Sequence, residues 1–233
     1  MPDHIVILTG AGVSAESGLG TFRDENGLWT QYDLSEVATP EGFARNPDMV
    51  QKFYNARRRN CLASEPNAAH AALARLEREF SGRLTLVTQN VDDLHERGGS
   101  KDVIHMHGEM LSALCSECGH QWRWVTEMAI TDSCASCQTN GSVRPDVVWF
   151  GEMPYHMALI ADALAGCDMF VAIGTSGQVY PAAGFVIEAR NSGAETVEIN
   201  LEASDHSGIF TRQILGPATQ TVPAWVDEVL GGG

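Results

Sequence analysis

The chain has 233 residues, 44% of them hydrophobic, enough for one sizeable core or a core with a smaller module. No apolar run reaches membrane-spanning length. Its 30 acidic against 15 basic side chains give a formal net charge of −15, which argues against nucleic-acid binding and is compatible with basic protein surfaces.

The N-terminus, MPDHIVIL, has no basic region before its apolar run. It reads as a strand and not a signal peptide, and the chain as cytoplasmic. Ile5 to Leu8 reads as a buried parallel strand. Gly10, Ala11 and Gly12 follow, then small polar residues. A strand, a glycine turn and a helix start make a site for an anionic pyrophosphate; the alternative is a structural turn before a helix. The dinucleotide pattern G-x-G-x-x-G is incomplete, because Ala15 stands at the third glycine. Ser17-Gly18 and Thr21-Phe22-Arg23-Asp24 prolong the loop, where a dehydrogenase would run on into a helix.

After Trp29 the chain turns helical from Ser35. Thr39-Pro40 marks one helix start and Asn46-Pro47 a second; Pro66-Asn67 opens a third over 68–80. Three helices before the next strand exceed one crossover and read as an insertion. Tyr54 and Arg57 share a helix face. With Arg58 and Arg59 alongside, the plain reading is a solvated basic face; the sharper one is a phenol and a guanidinium gripping a carboxylate.

Residues 83–88 form a second strand, and Gln89, Asn90, Val91 and Asp92 follow its carboxyl end, where α/β folds bind ligands. Capping by Asn90 or Asp92 is the plain alternative. In the short strand at 102–109, His105 and His107 are two apart and are expected on one side, as a metal pair or, for one of them, as a general base. Cys115-x-x-Cys118 and Cys134-x-x-Cys137, fifteen residues apart, match a four-cysteine zinc site. Disulfides are the alternative. Four thiols close the shell, so the zinc is structural. Cys61 and Cys167 read as buried apolar residues.

The chain is then expected to return to the main sheet at 143–152, with Val147 to Phe150 a core strand or an open edge for an extended peptide. A helix at 157–165 and a strand at 168–173 lead to Gly174, Thr175 and Ser176. A helix at 181–191 and a strand at 195–200 lead to Asn200, Leu201 and Glu202. After Gly216-Pro217-Ala218 come a last short strand and a helix over 222–230. The alternation predicts an α/β fold: a Rossmann-like doubly wound parallel sheet with a smaller helical and zinc-binding domain formed by two insertions. The main domain takes 1–29, 81–108 and 146–233; the insertions are 30–80 and 109–145. The cleft between the domains is the default site.

Together these motifs resemble the sirtuins, NAD-dependent protein lysine deacylases. GAGVSAESG, TFRD, TQNVDDLHERGG, HMHGE, the cysteine quartet, VVWFGE, GTS and NLE run through nearly the whole chain in the family's order. Thr21 and the Tyr54-x-x-Arg57 pair point to a bacterial, desuccinylase branch; Gly20 departs from the proline or other larger residue of many family members. The resemblance implies that NAD lies against Gly10, Ala11, Gly12, Ser14, Ala15, Glu16, Thr21, Phe22, Arg23 and Trp29. Gly174, Thr175 and Ser176 add contacts, and Asn200, Leu201, Glu202 and Ala218 hold the adenosine end. Gln89, Asn90, Val91 and Asp92 line the nicotinamide pocket, Asn90 with a catalytic role. An acyl-lysine peptide lies beside Val148 and Phe150, His107 is the general base, and Tyr54 with Arg57 selects succinyl or malonyl chains. One Zn2+ sits on Cys115, Cys118, Cys134 and Cys137. The implied products are free lysine, nicotinamide and O-acyl-ADP-ribose, and the implied protein is a monomer acting on acylated lysines, without nucleic-acid or membrane binding.

Overall fold

The computed structural model describes residues 2–20, 32–204 and 207–231. In chain order its strands are β1 (His4–Thr9), β2 (Arg83–Thr88), β3 (Val103–His105), β4 (Gly108–Cys115), β5 (Gln121–Arg123), β6 (Val143–Val147), β7 (Met169–Ile173), β8 (Glu195–Asn200) and β9 (Arg212–Leu215). Its helices are α1 (Ala11–Ala15), α2 (Leu34–Val37), α3 (Pro40–Arg45), α4 (Pro47–Ala63), α5 (Ala68–Glu79), α6 (Leu94–Arg97), α7 (Met157–Ala165), α8 (Phe185–Asn191) and α9 (Ala218–Gly231).

All six residues of β1 are buried, because both faces of its sheet are covered. Alternate side chains point to opposite faces. Ile5 and Ile7 pack with Leu73 and Leu76 of α5 and Val222 and Trp225 of α9. Val6 and Leu8 pack with Ile160 and Leu164 of α7 and Phe185 and Val186 of α8. The sheet is parallel throughout, in the order β3-β2-β1-β7-β8-β9. The chain winds outward from β1 to β3, then returns to the other side of β1 at β7. That reversal is the switch point where open α/β sheets bind ligands.

The helix starts follow their caps. The Thr39 hydroxyl accepts from Gly42 N–H at 2.9 Å with Pro40 in the first turn, and the Asn46 side chain accepts from Met49 N–H at 3.2 Å ahead of Pro47. Among the described residues no helix is long and apolar enough to cross a membrane.

A second sheet, β5-β4-β6, is antiparallel. Val50, Phe53 and Tyr54 of α4 pack on it through Met110, Leu111 and Val147. Two expectations are corrected here. Residues 143–147 belong to this second sheet and not to the main one, because Gly108 and Cys115 at the two ends of β4 pair with Val147 and Val143; Val148 to Phe150 lie outside any strand. The last strand, β9, precedes Gly216 instead of following it, since Val197 to Asn200 of β8 take Arg212 to Leu215 as their parallel partners.

Candidate active site

Backbone hydrogen bonds lace the loops at the carboxyl edge of the main sheet into one floor. Gly10 N–H donates to Ile173 O and Gly12 N–H to Gly174 O, both at 2.9 Å. Gly174 N–H donates to Ile199 O, Gly216 N–H to Asn200 O and Gln89 N–H to Thr9 O. Glycine is required where the first two loops touch. A Cβ on Gly12 would lie 2.7 Å from Gly174 Cα, and Gly174 has φ of 62°, with any Cβ placed 2.6 Å from Val13 N. Asn200 Nδ2 donates to Thr175 O at 2.8 Å, tying a further pair of loops. Glu16 links this floor to α9, its carboxylate accepting from Thr219 N–H and Oγ1.

A buried polar cluster stands beside this floor. Asn67 N–H donates to His70 Nδ1 at 3.2 Å, so the ring proton is on Nε2, which faces Ser14 Oγ at 3.4 Å. Asn90 Nδ2 also donates to Ser14 Oγ, at 3.1 Å, and Ser14 donates to Asp92 Oδ1 at 3.4 Å. Burial pushes the Asp92 carboxyl up, against bonds from Leu94 N–H and Ser14 that favour its charge. Burial holds His70 neutral, with its pKa lowered to about 4. His95, bonded to Thr9 Oγ1 at 2.9 Å, is pushed well below the ordinary histidine range by burial and by His70 and His105.

His105 and His107 do not share a side. β3 ends at His105, and the turn into β4 separates them. The buried His105 places Nδ1 on Asn90 O at 3.1 Å and Nε2 on Glu96 Oε1 at 2.7 Å. Burial works against a charge there, but Glu96 outweighs it and raises the pKa. No metal pair forms. The half-buried His107 donates Nδ1–H to Gln89 O at 3.1 Å, which leaves the Nε2 lone pair free to act as a base. Burial lowers its pKa against that hydrogen bond.

The opposite wall comes from α4 and the turn after β6. Tyr54 is 1% exposed and its hydroxyl accepts Trp149 Nε1–H at 2.9 Å. Arg57 lies one turn on, its Cζ 5.7 Å from the phenol centroid. Burial pulls the Arg57 guanidinium down, and Tyr54 and Asp92 push back. The solvated basic face fails as a reading: Arg58 is 1% exposed and bonded to Met110 O and Asn55 Oδ1, and only Arg59 points outward, pairing with Glu127. The backbone N–H groups of Val148, Trp149 and Phe150 already bond His107 O, Glu152 Oε2 and Ala38 O. An added peptide strand beside them therefore has no N–H to draw on at those three residues.

Between floor and wall lies a cleft of about 920 Å³. His107, Tyr54, Arg57, Val148 and Phe150 line it, with Gly10, Ala11, Gly12, Ser14, Ala15, Glu16, Gln89, Asn90, Val91, Asp92, Gly174, Thr175, Ser176, Asn200, Leu201, Glu202 and Ala218. Thr21, Phe22, Arg23 and Trp29 fall outside the described residues.

At the far end of β4 the four cysteine sulfurs lie within 4.8 Å of one another. Cys115–Cys137 and Cys118–Cys134 are each 3.7 Å apart. A tetrahedral thiolate shell with zinc–sulfur bonds of about 2.3 Å sets its sulfurs about 3.8 Å apart, so the set fits zinc. Among the described residues all six cysteines are free thiols, which excludes the disulfide alternative. None of the four lines the cleft, in keeping with a structural metal.

Residues 10–181 match the profile of the Sir2 family. The chain belongs to that family. A relative from Caulobacter vibrioides named NAD-dependent protein deacylase is 57% identical, over 97% of this chain and 96% of its own length. A crystal structure of a Sir2 homologue–NAD complex superposes with a TM-score of 0.91 at 37% identity, covering 99% of this chain and 91% of that one. A mutant Sir2 homologue in complex with 2'-O-acetyl ADP ribose gives a TM-score of 0.90 at 36% identity, with 99% and 93% covered. Within this Sir2 chain the sequence reading missed two groups that touch the site. His70 is signalled only by its place three residues after the Asn67 cap. Trp149 lies inside the VVWFGE stretch, but nothing local signals its bond to Tyr54, 95 residues away.

Proposed function

We propose that this chain removes acyl groups from lysine side chains of proteins in an NAD-dependent reaction, giving nicotinamide and O-acyl-ADP-ribose, and that it favours acyl chains ending in a carboxylate. The Sir2 membership, the deacylase relatives and the glycine floor support the first part. NAD supplies the ribose carbon and hydroxyl that receive the acyl group. The floor at Gly10–Gly12 and Gly174 accepts phosphates close to the backbone. Ser14, Asn90 and Asp92, already cross-linked, shape the nicotinamide pocket. His107 Nε2 takes the ribose hydroxyl proton, and its Gln89 hydrogen bond fixes the ring for that step. In this division of labour the parallel sheet with its covering helices, α5 among them, holds NAD, and α2–α4 with the second sheet and the turn after β6 present the acyl-lysine. A monomer in the cytoplasm, of net charge −15, then acts on basic protein segments.

The single observation behind the acyl preference is that Tyr54 and Arg57 stand on the wall of the cleft that His107 lines. A charge-assisted hydrogen bond is worth about 1.5–3 kcal/mol, or about ten- to a hundredfold in selectivity. The test is mass spectrometry of succinyl-lysine and acetyl-lysine versions of one peptide, with and without NAD. The expected result is NAD-dependent loss of succinyl with O-succinyl-ADP-ribose appearing, and Arg57→Met losing desuccinylation while sparing deacetylation. Loss of acetyl alone, or an equal fall in both with Arg57→Met, overturns the preference.

A further inference from the structure

We propose that Trp149 is a positioning residue for acyl-chain selection: its indole N–H occupies one lone pair of the Tyr54 hydroxyl and so aims the hydroxyl proton into the cleft, at the terminal carboxylate of the acyl chain. The inference rests on the carboxylate-selecting reading of Tyr54 and Arg57.

A phenol oxygen has one proton to give and two lone pairs. The indole nitrogen can only donate, and so can a guanidinium. Among the described residues, the Glu152 carboxylate acts on Tyr54 through its charge while being held by Arg144 and Trp149 N–H, and the groups beside the hydroxyl are Trp149 Nε1, at 2.9 Å, and Arg57. Neither can accept its proton. Tyr54 and Trp149 are 1% and 3% exposed, so a further partner for the hydroxyl must come from the cleft side. The proton is left for an acceptor in the cleft, which Tyr54, Arg57 and Trp149 all line. Without the indole N–H the hydroxyl can rotate, and turning a lone pair toward the carboxylate repels it.

The indole itself is clamped. The Arg144 guanidinium stacks on its face, Cζ 3.5 Å from the ring centroid. Arg144 bonds both oxygens of Glu152, at 2.6 and 2.9 Å, and Glu152 accepts Trp149 N–H at 2.8 Å. Phe43 lies against the ring, 5.2 Å between centroids. Backbone and ring are thus held by the same ion pair, and the N–H cannot swing away from Tyr54. That pair is self-neutralised, so it adds no cation of its own to compete with Arg57 for the carboxylate.

The experiment compares kcat/KM for succinyl-lysine and acetyl-lysine peptides in wild type, Trp149→Phe, Tyr54→Phe and the double variant. Trp149→Phe should lower the succinyl-to-acetyl ratio about three- to tenfold, chiefly through a higher KM for the succinyl peptide. Tyr54→Phe should lower it at least as far, and adding Trp149→Phe to Tyr54→Phe should change it no further. General damage to the fold lowers both peptides together and leaves the ratio alone. Melting curves check that each variant folds; should Trp149→Phe not fold, Trp149→Leu takes its place. An unchanged ratio in the single variant, or effects that simply multiply in the double, overturns the role of Trp149 while leaving the Arg57 reading intact. A wild-type enzyme with no succinyl preference overturns both.

Discussion

Lowering the pH from 7 to 5 should destabilise this protein through His70 by about 2 kcal/mol. The ring is fully buried, and burial holds its pKa at about 4. An unfolded histidine titrates near ~6.5. Because the folded value is the lower one, the unfolded chain takes up the proton first. The stability that the neutral ring contributes is therefore fully present above about pH 6.5 and drains away as the pH falls toward the folded value. At pH 5 the gap from the unfolded pKa is about 1.5 units, and about 1.36 kcal/mol per unit gives about 2 kcal/mol. Protonation would also remove the lone pair that accepts Asn67 N–H at the start of α5. His95, 4.9 Å away ring to ring, shifts in the same direction, so the total loss in wild type is larger. The His70 share is isolated by urea unfolding of wild type and His70→Gln at both pH values. Wild type should lose about 2 kcal/mol more than the variant between pH 7 and pH 5. Identical losses would refute the assignment of a neutral, proton-resisting His70.

His107→Tyr should abolish deacylation with little change in melting, and turnover that survives would remove His107 as the base; burial lowers the wild-type ring, so the acid limb of kcat/KM should fall below pH 6.5, and a midpoint above that value contradicts the geometry. Gly174→Ala, forced to a φ of 62° with its Cβ 2.6 Å from Val13 N, should cost about 2–4 kcal/mol, or about 5–15 °C in calorimetry; a melting point within about 2 °C of wild type would show that the two loops can part freely. Elemental analysis should find about one zinc per chain, reduced in Cys118→Ser, with hydrogen exchange rising in β4–β6 and not in β1 and β7; absence of zinc from the purified wild type contradicts the thiolate cage.

The main sheet was legible because β1 and β7 are apolar runs, β2 and β8 carry apolar residues among β-formers, and each is closed by a glycine or polar cluster that reached the cleft. Register between distant strands was not. Residues 143–147 read as a main-sheet strand because their pattern is that of any buried strand; only pairing with β4 reveals the separate sheet. β9 has four residues, three of them exposed, so periodicity gave it no signal. His105 and His107 looked paired because spacing of two means one face only while a strand continues, and this strand stops between them. The basic triplet at Arg57, Arg58 and Arg59 looked uniform in sequence. Three-dimensional packing gives each a different fate: cleft wall, buried strut and surface ion pair.

The floor and the wall of the cleft are made of different material. The floor is backbone, each loop handing a hydrogen bond to the next strand over, so inserting or deleting one residue in any of these loops displaces its neighbours as well. The wall is side chains, delivered by α4 and by the turn after β6. Single substitutions can rewrite the wall without disturbing the floor. If the wall selects the acyl group as proposed, point mutation alone changes that choice, while the dinucleotide grip stays fixed by loop length.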